Sequence, residues 1–213
     1  MTLEFFHRAS TPPARLGILP GTFNPVTVAH LGLAEAALEL VDEVVFVLPR
    51  VFPHKTYSGA AFEQRVDLLR SAIANQPAFS VAATDHGLFV EIAHACRAAY
   101  GGDTRLSFVC GRDAAERIIE WDYGDLKVVP DMLGEFDLLV ADRGGTYWPP
   151  NEFSHAICRL PLENTFDPIS ATEVRERIAR AEPWEHLVPA AIREQVREIY
   201  RATGPAPDSP PEK

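Results

Sequence analysis

Residues 16–30, LGILPGTFNPVTVAH, restrict what this chain can fold into more than any other stretch. A short apolar run (Leu16, Ile18, Leu19) breaks at Pro20-Gly21, and a tight turn with the small polar groups Thr22, Asn24 and Thr27 follows. His30 then sits near the start of an apolar-periodic segment, residues 31–38. The pattern predicts a strand, a turn and a helix in succession. Such a turn puts backbone N–H groups and a helix N-terminus where an anion can meet them. It is neither of the two commonest phosphate loops: it lacks a Lys-Ser/Thr ending and the three-glycine spacing.

The rest of the chain repeats the alternation. The apolar, β-branched run 44–48 suits a buried parallel strand and ends at Pro49, with a loop over 50–55. Helical spacing is predicted for 59–74, a strand for 79–81, a helix for 88–100 and a strand for 106–110. Gly111-Arg112-Asp113 then opens a helix through Ile119, with Trp121 and Tyr123 in the loop after it. Strands at 136–141 and 157–160 and helices at 172–180 and 189–200 complete the pattern, the second of those strands as an edge. Strands alternating with helices imply an α/β fold, a doubly wound parallel sheet with C-terminal helices. One domain, 16–202, is expected between residues 1–15, read as a flexible leader or a short appended element, and a disordered tail (203–213) rich in Pro and charge. In such sheets ligands bind at the carboxyl ends of the strands, where the strand order reverses.

Composition narrows the partners. A formal net charge of −10 argues against a general nucleic-acid binder, although a few local cations can still dominate one cleft. Cys96, Cys110 and Cys158 have no metal-ligand spacing, which suits a reducing cytoplasm. No run approaches a membrane span, so no membrane partner is expected.

A second motif lies near the C-terminus. Ser170 with Glu173 three residues on fits a capping box, and a capped helix start is also a suitable anion site, within reach of Arg175. Together the two motifs carry a resemblance. GTFNPVTVAH resembles the GTFDPxHxGH signature of the nucleotidyltransferase superfamily, and Ile169-Ser170-Ala171-Thr172-Glu173-Val174-Arg175 resembles its ISSTxxR signature. The chain is most similar in feel to bacterial nicotinate-nucleotide adenylyltransferases, from about Leu16 to Tyr200.

The resemblance implies a Rossmann-like fold and transfer of a nucleotidyl group from ATP, carried with Mg2+, to a small phosphorylated acceptor with release of pyrophosphate. A homo-oligomer is compatible with it. It implies that His30 contacts the triphosphate, where its other reading is a helix-capping residue. Thr27 stands at the signature's first His and reads as a hydroxyl donor to phosphate. Gly21 would belong to the nucleotide site, where Thr22 and Phe23 would supply backbone N–H groups and a wall near the nucleotide. Ser170, Thr172 and Arg175 would meet the phosphates. Lys55 matches a basic position of these families or is a solvated loop lysine. Gly111 and Asp113 match a Gly-x-Asp that holds the nucleotide, and Asp113 reads equally as an N-cap. Trp121 stands where a Trp stacks on the pyridine ring, or belongs to the core. Arg143, in a strand's exit loop, is a lesser candidate.

Departures accompany the match. Pro20 and Ala29 replace Gly, and Asn24 replaces Asp. The segment 88–93, Leu-Phe-Val-Glu-Ile-Ala, stands where the family carries Ser-Tyr-Thr against the acceptor's carboxylate. Two rivals therefore stay open: a relative using another acceptor or CTP, and a nucleotide-binding module without turnover.

Overall fold

Strand β3, Glu43–Pro49, is buried at every position, and its side chains alternate between two separate apolar clusters. Val44, Phe46 and Leu48 belong to one cluster, Val45 and Val47 to the other. A strand that is apolar on both pleat faces needs a helix layer on each side, and the computed structural model supplies both. It describes residues 2–51, 59–85, 87–120, 124–125, 127–142, 145–160, 162 and 166–202.

The elements run in chain order as β1 (Glu4–His7), β2 (Arg15–Pro20), α1 (Val28–Ala37), β3, α2 (Phe62–Ala72), β4 (Phe79–Thr84) and α3 (Phe89–Tyr100). Then follow β5 (Arg105–Gly111), α4 (Arg112–Glu120), α5 (Val128–Glu135), β6 (Asp137–Ala141), β7 (Ile157–Leu160), α6 (Ala171–Ala179) and α7 (Arg193–Ala202). The seven strands lie in the order β1-β4-β3-β2-β5-β6-β7. Residues of α1, α2, α6 and α7 close the cluster on one face of the sheet, and residues of α3, α4 and α5 close the other. This is a Rossmann-like, doubly wound α/β fold, as the alternation of elements implied.

Every strand pair is parallel except β1 with β4. That exception makes residues 4–7 an appended edge strand and replaces the flexible-leader reading there. Phe5 packs edge-on to Tyr100 with the second cluster, and Phe6 edge-on to Phe62 with the first. Two adjacent rings thus cap both faces of the sheet at once, which holds residues 4–7 on the β4 edge. Ser80 receives the Ala9 N–H at 2.8 Å and donates to the buried Glu43 carboxylate at 2.6 Å, which pins the chain between β1 and β2.

Helix α5 was not anticipated, because Pro130 and Gly134 interrupt its pattern. Pro130 falls in its first turn, where a missing N–H costs no intrahelical bond. The tail 203–213 lies outside the described residues.

Candidate active site

The strand order reverses between β2 and β5, its two central neighbours. Chain leaving β2 goes on to β3, whereas chain leaving β5 goes the opposite way to β6. Between their carboxyl ends the following loops part and leave a crevice. The first motif exits from β2, and Gly111-Arg112-Asp113 exits from β5, so both candidate loops flank it.

The first motif is built around its own ring contacts. Phe23 adopts φ +46° and folds its ring back over Gly21, where a Cβ would stand 2.9 Å from the ring. Only glycine fits that contact. The ring lies edge-on to Phe46 and to the His30 imidazole, and it is 1% exposed. Phe23 is therefore no wall facing a nucleotide; it is the floor on which His30 stands. Gly21 also gives its N–H to the Val47 carbonyl at 3.0 Å, so that donor is spent between strands rather than offered to an anion.

Thr27 is the N-cap of α1 and is fully buried. Its backbone N–H donates to His30 Nδ1 at 3.0 Å, and its hydroxyl lies 2.8 Å from the same nitrogen. The reading of Thr27 as a phosphate donor is corrected by this burial: its hydroxyl caps the helix and positions His30. For His30, the helix-capping reading is the one seen in the geometry. It closes the capping box, and because Nδ1 accepts the amide proton, the ring proton stands on Nε2 as a donor. The imidazole is half-buried, at the N-terminal turn of α1.

The second motif meets the first. Ser170 is the N-cap of α6 and accepts from the Glu173 N–H at 3.0 Å. One turn on, Arg175 Nη1 donates to the Asn24 carbonyl at 2.6 Å, across 151 residues of sequence, and Nη2 donates to Thr172 Oγ1 at 3.2 Å. Those two bonds fix the guanidinium plane and leave further N–H donors of its fork for an oxyanion. Gly32, two residues after His30, packs so tightly on Phe166 that a Cβ there would lie 2.7 Å from the ring. The segment leading into α6 is thus seated on α1 as well. Thr22 is half-buried, and its carbonyl accepts from Arg65 Nη1 at 2.8 Å. Arg65 itself is 4% exposed.

Sequence reasoning missed Arg65 and Tyr200, which hold this turn from behind. Each had a signal. Arg65 is a charge on the apolar stripe of α2, between Phe62 and Val66–Leu69, and Tyr200 ends the stripe of Ile192 and Val196. Both stand where only apolar residues are expected unless a polar partner is near.

The comparisons with known proteins bear on this arrangement. The family model described as cytidylyltransferase-like matches residues 18–177, a span that contains both motifs. A probable nicotinate-nucleotide adenylyltransferase of Moorella thermoacetica is 30% identical over 210 residues, 90% of this chain and 94% of its own. One from Chromohalobacter salexigens is 32% identical over 209 residues, 86% and 94% of the two chains. The chain belongs to the nicotinate-nucleotide adenylyltransferase family, a family of nucleotidyltransferases. A solved structure, the Plasmodium falciparum nicotinic acid mononucleotide adenylyltransferase complexed with NaAD, superposes with a TM-score of 0.65. It covers 88% of this chain and 97% of its own at 16% identity, a likeness of fold.

Within this adenylyltransferase family the departures acquire physical content. Asn24 Oδ1 accepts from Tyr200 Oη and from the Ala60 N–H, a role in which a carboxylate oxygen would serve equally. Asp113 is exposed in the first turn of α4, which starts at Arg112 directly after β5. It is therefore no N-cap, and it follows the Gly111 end of β5 by two residues. In the 88–93 segment, Phe89 stacks on Phe108 at 4.3 Å, and Ile92 and Ala93 are buried. Glu91 caps its own helix through the Leu88 N–H at 3.3 Å. That leaves Leu88 and Val51, 56% and 60% exposed, as the outward apolar groups at the ends of β4 and β3. Lys55, Trp121 and Arg143 lie outside the described residues.

Proposed function

We propose that this protein transfers AMP from ATP to the phosphate of nicotinate mononucleotide and releases pyrophosphate. An acceptor phosphate oxygen attacks the α-phosphorus, and the bond to the α–β bridging oxygen breaks. The acceptor is anionic at neutral pH, so no general base is needed; alignment and charge neutralisation supply the catalysis. The observation that carries this reading is the Arg175–Asn24 bond, which draws a fork of N–H donors from the second motif onto the turn that orients His30. His30 Nε2–H and the Arg175 fork then donate to the triphosphate oxygens, and the N-termini of α1 and α6 add their partial positive charge.

Magnesium enters as part of the substrate, on the triphosphate. No group of three His, Cys, Asp or Glu that could hold a metal comes together among the described residues. The donors at the site are N–H groups and hydroxyls, which suit phosphate oxygens rather than a bare cation. No helix among the described residues is long and apolar enough to cross a membrane.

A second acceptor, nicotinamide mononucleotide, is favoured by the 88–93 segment. Its outward groups are Leu88 and the carboxylate of Glu91, a poor match for an acceptor that carries its own carboxylate. Pyrophosphate release with MgATP or MgCTP, offered each mononucleotide and phosphopantetheine, tests both. Release with ATP and nicotinate mononucleotide is expected. Release with ATP and only the nicotinamide form moves the assignment to the second acceptor. Silence with every pair refutes the transfer reaction.

A further inference from the structure

Behind the first motif, the Tyr200 hydroxyl joins the Asn24 side chain, a contact with no part in the chemistry above. Asn24 is 5% exposed, and its side-chain oxygen receives two donors, Tyr200 Oη at 2.5 Å and the Ala60 N–H at 3.3 Å. Its own carbonyl receives Arg175 at 2.6 Å. Tyr200 comes from α7, 176 residues along the chain, and is itself 5% exposed. Burial pushes its phenol well above the usual range, only partly offset by the nearby Arg175 and Arg65 charges, so at neutral pH it is an O–H donor. With both partners buried, water cannot take the place of that hydroxyl.

We propose that Tyr200 is a positioning residue for nucleotidyl transfer, acting through the buried Asn24 carboxamide to hold the turn whose carbonyl aims the Arg175 guanidinium. The argument follows the atoms. Two of the five guanidinium donors are fixed, on the Asn24 carbonyl and Thr172 Oγ1, and they set the direction of the other three. The Asn24 carbonyl can swing if its side chain is released. Tyr200 and Ala60 grip that side chain from α7 and from the segment before α2. The hydroxyl of Tyr200 therefore acts on the phosphate arm without touching substrate. The ring beneath it belongs to the core with Trp184, Leu187 and Val196, so removing one oxygen leaves the fold intact.

This inference rests on the transfer reaction proposed above, and its test separates the two. The test compares the full-length chain with Tyr200→Phe, each alone and combined with Arg175→Lys, which carries the charge but no fork to aim. Calorimetric binding of inorganic pyrophosphate and steady-state kinetics are both read. Tyr200→Phe is expected to weaken pyrophosphate binding about fivefold and to lower kcat/KM for ATP about tenfold, as sub-ångström misplacement of a charge contact does. The KM for the acceptor should not change, because the arm serves the triphosphate. In the Arg175→Lys background the same change should cost less than about twofold, because coupled residues are not additive. Unaltered pyrophosphate binding and ATP kinetics in Tyr200→Phe overturn the proposal, and so does an equal loss in both backgrounds. A wild-type chain that binds pyrophosphate but never turns over refutes the reaction, while the binding series still decides the role of Tyr200. A wild-type chain that does not bind pyrophosphate removes the phosphate site and the proposal with it.

Discussion

Gly32→Ala offers a sharp check on how the two motifs are joined. In an exposed helix interior, alanine is favoured over glycine by about 1 kcal/mol. Here the new methyl would meet Cζ, Cε2 and Cε1 of Phe166 at 2.7, 2.9 and 3.1 Å. To reach ordinary contact at 3.4 Å the ring must retreat by about 0.7 Å. Overpacking of this kind costs about 1–3 kcal/mol, so the net expectation is a loss of about 1 kcal/mol. For a chain of this size that is roughly 2–4 °C in the unfolding midpoint. All three clashing atoms lie beyond the reach of a leucine side chain. In a Phe166→Leu background the sign should therefore invert, and Gly32→Ala should stabilise by about 1 kcal/mol relative to that background. Phe166 lies four residues before the Ser170 cap of α6 and accepts the Ile169 N–H. A displaced ring therefore shifts the helix that carries Arg175, and kcat/KM should fall about tenfold in the single variant and recover in the double. Urea unfolding and pyrophosphate release read both effects. Destabilisation of equal size in both backgrounds would show that Phe166 is not what the methyl meets.

Thr27→Val keeps the buried volume and removes the hydroxyl; a stability loss of about 1 kcal/mol is expected from the cap, with a kcat/KM loss that vanishes in a His30→Ala background. A loss that persists without His30 would return Thr27 to direct phosphate contact. Burial pushes the Cys96 and Cys110 thiols up to about 12, whereas Cys158 is exposed, so the native chain should titrate one thiol with Ellman's reagent and the denatured chain all three. Rapid native reaction of a second thiol would contradict the packing of β5 against α3. Hydrogen bonds from the Arg159 guanidinium hold the Asp142 carboxyl below the usual carboxylate range, helped by the Tyr147 N–H. A depressed folded-state value stabilises fully above the unfolded value of about 3.9 and is lost as pH falls through the folded value. The stability gap between wild type and Asp142→Asn should thus be full at pH 6 and shrink below about pH 4, as urea titrations at each pH would read; a pH-independent gap would refute the ion-pair account.

Local pattern carried the reading wherever a residue's neighbours in sequence are also its neighbours in space. The strand-turn-helix at Arg15–Ala37, the fully apolar β3 and the Ser170 cap are of that kind. Thr27 and Phe23 were misread for one reason. Both stand within the motif, but burial is a property of the layers above and below, so neither shows in sequence that its side chain points inward. Residues 4–7 are too few to show a period, so their pattern alone does not separate a strand from a leader. Only the free edge of β4 makes them a strand.

The sequence by itself determined the parallel strands β2 to β7, most of the helices that cover them and the two motifs, since periodicity and turn chemistry are short-range and act before the chain folds. The tertiary structure alone decided which groups work together. Arg175 reaches Asn24 across 151 residues, and Tyr200 reaches it across 176. No period spans such distances. Those partners are chosen when apolar faces pack and strand buried polar groups that must find one another.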